Sequence, residues 1–360
     1  MKILHVLHTP RAEGTVKLTL DWLAQPHPQQ EVLVLNPSPA EMTGELKRRA
    51  SWFAQGDNFP AGRAKFPWMM AKTWKVCRQR RPDLLICWAN GFSPWVLGAA
   101  RLAGVRQLIT HAGNPPAWNF GGKAYTVFST FVAWLTGGRM VCCSHYVAGQ
   151  FARSPGAFAS VLRVVHNCAP IPVIREEAAA ARARRADRRP RLIMVGTLES
   201  HKDHATLLKA MPAVVRAVPE VQLWLVGEGS LRHDLEQLCA SLDLRDVVTF
   251  LGSRRDVPAL LGQSDVFVFS TTLEEGLGTV LLEALAAGLP IVATDVPACA
   301  EALDGGRWGA LVPPADPAAL AEALIARLQL PERNAPDECH SYLERFSPSQ
   351  MITNYMAEAL

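Results

Sequence analysis

Short apolar runs alternate with amphipathic stretches along the whole chain, the pattern of parallel sheets covered by helices. In the first half the strand-like runs are Ile3–Leu7, Glu31–Leu35, Leu84–Trp88, Gln107–Thr110, Met140–Cys143 and Leu162–His166. Helical periodicity fills Val16–Ala24, Met69–Arg80, Pro94–Ala103, Tyr125–Leu135 and His145–Ala152. The second half repeats the scheme, with strands at Leu192–Val195, Gln222–Val226, Val248–Leu251, Val266–Phe269, Ile291–Ala293 and Ala310–Val312. Its helices are expected at His204–Val215, Ser230–Ser241, Val280–Ala287 and Pro317–Leu328. The join, Ile174–Arg191, is rich in Ala and Arg and bracketed by Pro172 and Pro190, which reads as a solvated helix or a linker. Two doubly wound α/β domains are therefore expected, 1–172 and 173–346, with a terminal helix at 347–360 packing back on the first. Ligands of such sheets bind beyond the carboxyl ends of the strands, so a ligand between the halves would touch both.

Composition fits this reading. The chain has 360 residues, more than the ~100–200 of one domain. Hydrophobic residues make up 49% and charged residues 19%, which supports sizeable cores and excludes a disordered chain. Gly and Pro follow no period, which excludes a collagen-like repeat. The first residues read as a strand followed by charges rather than as a signal peptide. The apolar stretch Ala124–Gly138 has 15 residues, short of the ~20 that span a bilayer. None of the eight cysteines forms a C-x-x-C pair, so small buried hydrophobes in a reducing compartment are expected, ahead of disulfides or zinc.

Charge changes the picture more. Residues 1–172 hold 19 Lys and Arg against 7 Asp and Glu, a net +12, while residues 173–360 hold 18 against 26, a net −8. Eight of the ten tryptophans lie at or before Trp134. Halves of opposite electrical character face different partners.

The densest chemical signal runs from Ser270 to Pro290, STTLEEGLGTVLLEALAAGLP, which leaves a strand and opens a helix near Thr279. Gly276 and Gly278 let a backbone approach a ligand closely, and the first N–H groups of the helix favour an anion. Glu283 sits one turn into a helix among Val280, Leu281, Leu282, Ala284 and Leu285. A carboxylate in that company needs donors, which sugar hydroxyls would supply; the plain alternative is a solvated helix face. Glu275 could reach a second set of hydroxyls, or be an ordinary loop charge.

Glu275 and Glu283, separated by seven residues inside E-G-x-G…E-A-x-A-x-G-x-P, resemble the signature of glycosyltransferase family 4, of the GT-B fold. Val195-Gly196-Thr197-Leu198 with His201-Lys202, Leu225-Val226-Gly227-Glu228-Gly229, and Phe250-Leu251-Gly252 with Asp256-Val257-Pro258 agree in order. The resemblance is strong over 190–315 and weak in the first half. It implies two Rossmann-like domains and a retaining transferase that uses a nucleotide sugar as substrate, with no metal and no cofactor. By motif, Glu283 would bind the ribose, Glu275 would hold hydroxyls of the transferred sugar, and the amides of Gly276, Leu277, Gly278 and Thr279 would lie near sugar and diphosphate. Lys202 would neutralise the diphosphate as charge develops on the leaving group. Thr197 stands where the family usually has Arg, and Arg254 or Arg255 is a candidate substitute.

In the first half, His8-Thr9-Pro10-Arg11-Ala12-Glu13-Gly14-Thr15 resembles the family's glycine loop, with Gly14 approaching phosphate or acceptor. His111 ends the strand Gln107–Thr110, where a side chain points into the cleft, and the resemblance places a histidine there, near the transferred sugar, as a positioning group. In the front-face substitution written for the family the departing phosphate oxygen takes the acceptor proton. His166-Asn167-Cys168 resembles the family's Asn-Gly, with Cys168 in place of Gly, and reads as a hinge.

From Arg63 to Arg81 seven basic residues (Arg63, Lys65, Lys72, Lys75, Arg78, Arg80, Arg81) interleave with Phe66, Trp68, Met69, Met70 and Trp74, with no acid. That suits anionic lipid headgroups, the plain alternative being a solvated face; nothing accompanies the charge that indicates nucleic acid. The expectation is a retaining transferase acting on a glycan or lipid-linked acceptor in surface polysaccharide or glycolipid assembly. It would sit in the cytoplasm, attached peripherally to the inner membrane face. A nucleotide-sugar epimerase or sugar phosphorylase of the same fold, or a non-catalytic GT-B partner protein, stays open.

Overall fold

The computed structural model describes residues 1–11, 14–26, 29–36, 41–329 and 336–359, with the side chains of 336–338 left aside. It divides the chain into two units, Met1–Cys168 with Pro348–Leu360, and Ala169–Ser347.

The first unit contains β1 (Lys2–Leu7), α1 (Gly14–Leu23), β2 (Gln29–Val34), α2 (Thr43–Arg49) and β3 (Trp52–Gln55). There follow α3 (Lys65–Arg80), β4 (Leu84–Cys87), α4 (Ser93–Leu102), β5 (Gln107–Ala112), α5 (Phe120–Leu135), β6 (Arg139–Cys142), α6 (His145–Ala152) and β7 (Leu162–Val164). The seven strands are parallel in the order β3-β2-β1-β4-β5-β6-β7. Strands such as Leu84–Cys87 are buried throughout, as a parallel sheet covered on both faces requires. Right-handed crossovers put α3, α4 and α5 side by side on one face and α1 and α2 on the other.

The second unit contains α7 (Ile171–Ala183), β8 (Arg191–Val195), α8 (His204–Ala217), β9 (Gln222–Val226), α9 (Arg232–Ser241), β10 (Val248–Gly252) and α10 (Val257–Gly262). It continues with β11 (Val266–Phe269), α11 (Thr279–Ala286), β12 (Ile291–Thr294), α12 (Pro297–Ala302), β13 (Ala310–Val312), α13 (Pro317–Gln329) and α14 (Pro336–Glu344). Its six parallel strands run β10-β9-β8-β11-β12-β13. The last helix, α15 (Pro348–Ala359), belongs to the first unit, where it packs on α1 and puts Met351 and Tyr355 into the core. Both units have the doubly wound, Rossmann-like architecture of the GT-B fold.

The segment read as a solvated helix or linker is a packed helix. Ile171, Ile174 and Ala178 of α7 are buried, and α7 lies against α10 so closely that a Cβ on Gly262 would stand 2.2 Å from the Ala178 carbonyl oxygen. Its many Ala residues allow this close approach. We therefore expect Gly262→Ala to lower the urea midpoint of the second unit, at a cost of about 1–3 kcal/mol. Gly14→Ala, where a Cβ would meet nothing within 4 Å, should leave the midpoint unchanged.

Candidate functional site

In the second sheet the chain winds outward from β8 through β9 to β10, and from β11 through β12 to β13, so β8 and β11 flank the topological switch point. The carboxyl ends of these two strands are where a doubly wound sheet binds ligands. The segments that leave them are Gly196–Asp203 and Ser270–Gly278, the two that carry the motif residues.

Hydrogen bonds sew these segments together. Ser270 Oγ donates to the Asp203 carbonyl at 2.9 Å, Thr271 Oγ1 to the His201 carbonyl at 2.8 Å, and Thr272 N to the same carbonyl at 3.0 Å. Asp203, in the left-handed region at φ 40°, caps α8 by accepting from Thr206 N at 3.3 Å. Lys202 is thereby held against Glu275, and its ammonium donates to Glu275 Oε2. The ammonium also lies 4.9 Å from the centre of the Phe269 ring.

Glu275 is buried and surrounded by donors. Oε1 accepts from Gly276 N and Gly278 N, each at 3.2 Å, and the Thr271 hydroxyl leans toward Oε2 at 3.3 Å. Burial pushes the carboxyl pKa up, but Lys202, with help from His201 and the Gly276 amide, brings it below the usual glutamate value. Gly278 makes this turn possible: it sits at φ 71°, and a Cβ there would crowd Leu281 and Phe269 at 3.1 and 3.2 Å. Beyond it α11 opens with no acidic residue in its first turn and no side-chain cap. Its first amides, at Thr279 and Val280, have no intrahelical acceptor and favour an anion.

The structure thus brings Lys202, Glu275, Gly276 and Gly278 into one constellation. Leu277 is buried beneath it, and Thr279 and Glu283 lie half-buried with Val280 on one face of α11. The amides of Gly276 and Gly278, expected to face a diphosphate, are donated to Glu275. The Glu275 carboxylate, expected to hold sugar hydroxyls, accepts from the Gly276 and Gly278 amides and from Lys202, three donors against about four acceptor positions. It acts on the site by fixing Lys202 and the glycine turn. Thr197 is exposed at the end of β8. Arg254 is exposed and engages Asp256 through two hydrogen bonds of 2.8 and 2.6 Å, so its guanidinium does not join the constellation.

His111 belongs to the first unit. β5 continues one residue past it to Ala112, so His111 lies at the carboxyl end of the strand, where it is 1% exposed. Its Nδ1 is 2.7 Å from the Tyr355 hydroxyl of α15, and its ring lies 5.2 Å from that of Trp88. Nε2 has no hydrogen-bond partner among the described residues, and a Cβ on Gly113 would stand 3.2 Å from it. Burial lowers the pKa to about 4, so the ring is neutral at ordinary pH. Gly14 is the exposed first residue of α1; Ala12 and Glu13 of the expected glycine loop lie outside the described residues.

Sequence reasoning missed Thr271 and His201, which join the two segments, and His204. The last is buried beside Lys202 with neither ring nitrogen partnered among the described residues, and burial, then the Lys202 charge, lowers its pKa to about 4. A polar Ser-Thr pair directly after an apolar strand was the available signal for Thr271.

Of the basic segment, Arg63, Lys75, Arg78 and Arg81 are exposed, whereas Lys72 pairs with Asp57 at 3.7 Å and Arg80 with the buried Glu31. All eight cysteines are free and buried. Among the described residues no helix is long and apolar enough to cross a membrane.

Residues 189–329 match the family described as Glycosyl transferases group 1. A phosphatidyl-myo-inositol mannosyltransferase of Mycobacterium leprae is 40% identical over 134 residues, 36% of this chain and 35% of that protein. The match spans about a third of the length of that relative. A GDP-mannose-dependent alpha-(1-6)-phosphatidylinositol monomannoside mannosyltransferase of Mycolicibacterium smegmatis is 28% identical over 284 residues, 70% of this chain and 69% of that one. Among solved structures, Anabaena HepE in complex with UDP and glucose has a TM-score of 0.80 at 18% identity, covering 99% of this chain and 98% of that one.

The sign of the Glu275 shift generates a test. Its folded pKa lies below the usual 4.5, so the pair's contribution to stability is complete above that value and is lost as pH falls through the folded pKa. Denaturant melts of wild type and Glu275→Gln should therefore differ at neutral pH and converge in acid; a constant gap contradicts the pairing. Lys202→Ala leaves the carboxylate buried without its counter-charge and is expected to lose about 3–5 kcal/mol at neutral pH.

Proposed function

We propose that the protein is a retaining transferase of glycosyltransferase family 4 that moves a sugar from a nucleoside diphosphate sugar to a hydroxyl of a glycan or lipid-linked acceptor. The observation that carries this reading is the Lys202–Glu275 pair at the carboxyl ends of β8 and β11, beside the open start of α11. An ammonium held in place by a buried carboxylate is pre-organised to meet negative charge, and it need not be recruited when the sugar–phosphate bond breaks. The first amides of α11 add the positive end of a helix dipole. Glu283, on the same helix face as Thr279 and Val280, accepts the ribose hydroxyls. In the transfer the bond from the anomeric carbon to the phosphate oxygen breaks, and the acceptor oxygen bonds to that carbon on the same face. The acceptor proton passes to the departing phosphate oxygen, so no separate base is needed.

His111 enters as a neutral imidazole. Tyr355 fixes its ring through Nδ1, and Nε2 positions a sugar hydroxyl. Lys202 supplies the positive charge that meets the leaving diphosphate, so chelators should leave turnover unchanged. The relatives named for phosphatidylinositol acceptors support a glycolipid product, assembled at the cytoplasmic face of a membrane that the exposed cations of α3 contact.

A thermal-shift panel of UDP, GDP, ADP and their sugars tests the donor assignment, because a ligand of the folded state raises the melting temperature by mass action. One of these nucleotides should stabilise the protein. Lys202→Ala and Glu283→Ala should each weaken its binding about tenfold or more, as expected for lost charged hydrogen bonds. Stabilisation by none of them, or undiminished calorimetric affinity in both variants, overturns the reading.

A further inference from the structure

Helix α5 is built inside out. The residues it turns toward the protein are Thr126, Ser129, Thr130 and Ala133, all buried. Their hydroxyls bond back to the helix's own carbonyls, Thr126 to Gly122 at 2.9 Å, Ser129 to Thr126 at 3.1 Å and Thr130 to Thr126 at 2.8 Å. The opposite face carries the apolar bulk: Phe120 is 89% exposed, Leu135 64%, Trp134 52% and Phe128 42%, with Phe131 beside them and Trp118 just before the helix. From Phe120 these positions recur at helical spacing and form one stripe along the helix. A surface helix of a water-soluble unit shows the reverse arrangement, so this face is shaped for an apolar environment outside the protein.

The surroundings of the stripe identify that environment. No Asp or Glu occurs between Asp83 and Glu176, a stretch that includes α4, α5 and α6. Lys123 is the one charged residue on α5, and it is exposed. Aromatic contacts run from Phe66 at the start of α3 to Trp95 of α4 at 4.1 Å, and on to Phe128 of α5 at 5.7 Å. The exposed cations Arg63, Lys75 and Arg78 therefore belong to the same face of the sheet as the stripe. An apolar ridge with exposed cations nearby and no acid on α4, α5 or α6 matches an anionic lipid surface, with rings among the acyl chains and cations at the headgroups. A second copy of the chain would bring like charges together. With 16 residues, α5 is too short to span a bilayer and suits a position parallel to its surface.

We propose that α5 inserts its aromatic face into the headgroup boundary of an anionic membrane. This deepens the membrane reading given above by naming the inserting element, and it is independent of the sugar-transfer chemistry. Cosedimentation of the full chain with phosphatidylglycerol-containing and with phosphatidylcholine vesicles tests it. Phe120→Ser/Leu135→Ser changes two outward side chains and should weaken binding to the anionic vesicles about tenfold or more, with an unchanged melting temperature. Lys75→Glu/Arg78→Glu should remove the preference for anionic over neutral vesicles and tests the electrostatic contact separately. Wild-type binding by the serine variant overturns the proposal even if the charge reversal abolishes binding. Light scattering supplies the other decisive outcome: a dimer that the serine variant turns into a monomer, with vesicle binding intact, assigns the stripe to a second copy.

Discussion

An ammonium and a carboxylate taken out of water together stand at the centre of the second unit. Neither Lys202 nor Glu275 could be left there alone, since an uncompensated buried charge costs several kcal/mol. The surrounding backbone is arranged to satisfy both. The segment after β8 and the segment after β11 are joined by hydrogen bonds from Ser270, Thr271 and Thr272, and the glycine turn folds its amides onto the carboxylate. The same turn sets the start of α11. One ion pair thus links strand ends, turn and helix, and it fixes a positive charge where a doubly wound sheet receives its ligand.

The first unit solves a different problem with the same architecture. One face of its sheet is closed by α1 and α15, with Trp22, Trp88, His111 and Tyr355 packed together in the core. The other face bears α3, α4 and α5, and there apolar side chains of α5 are turned outward on the same face as the exposed cations Lys75 and Arg78. The charge separation between the two halves of the sequence is therefore also a difference of surfaces: an ion pair at the strand ends of one unit, and an exposed aromatic stripe with cations on the same face of the sheet in the other.

Much of the fold is legible because strands buried on both faces read as continuous apolar runs. β3 was missed for the opposite reason: Trp52–Gln55 is a short, half-buried edge strand, and nothing in four such residues distinguishes it from a loop. α7 was read as solvated because Ala and Arg say little about packing, whereas its Ala residues are what allow α10 to approach. The glycine turn and its two glutamates were legible as a motif. The partnership of Lys202 with Glu275 was not, because it joins residues 73 apart through contacts that only the sheet creates. His111 was legible at a strand end, but its partner Tyr355 was not, because it lies 244 residues away in sequence. The inverted face of α5 was hidden because helical periodicity alone does not say which side faces the core.

The central claim is that the Lys202–Glu275 constellation receives a nucleoside diphosphate. Hydrogen–deuterium exchange of the whole chain, with and without the nucleotide that stabilises it, addresses this most directly. The account predicts slowed exchange in the segments 196–204 and 271–283, with the amides at the start of α11 among the most protected. Protection confined to other segments, with these two unchanged, would contradict it.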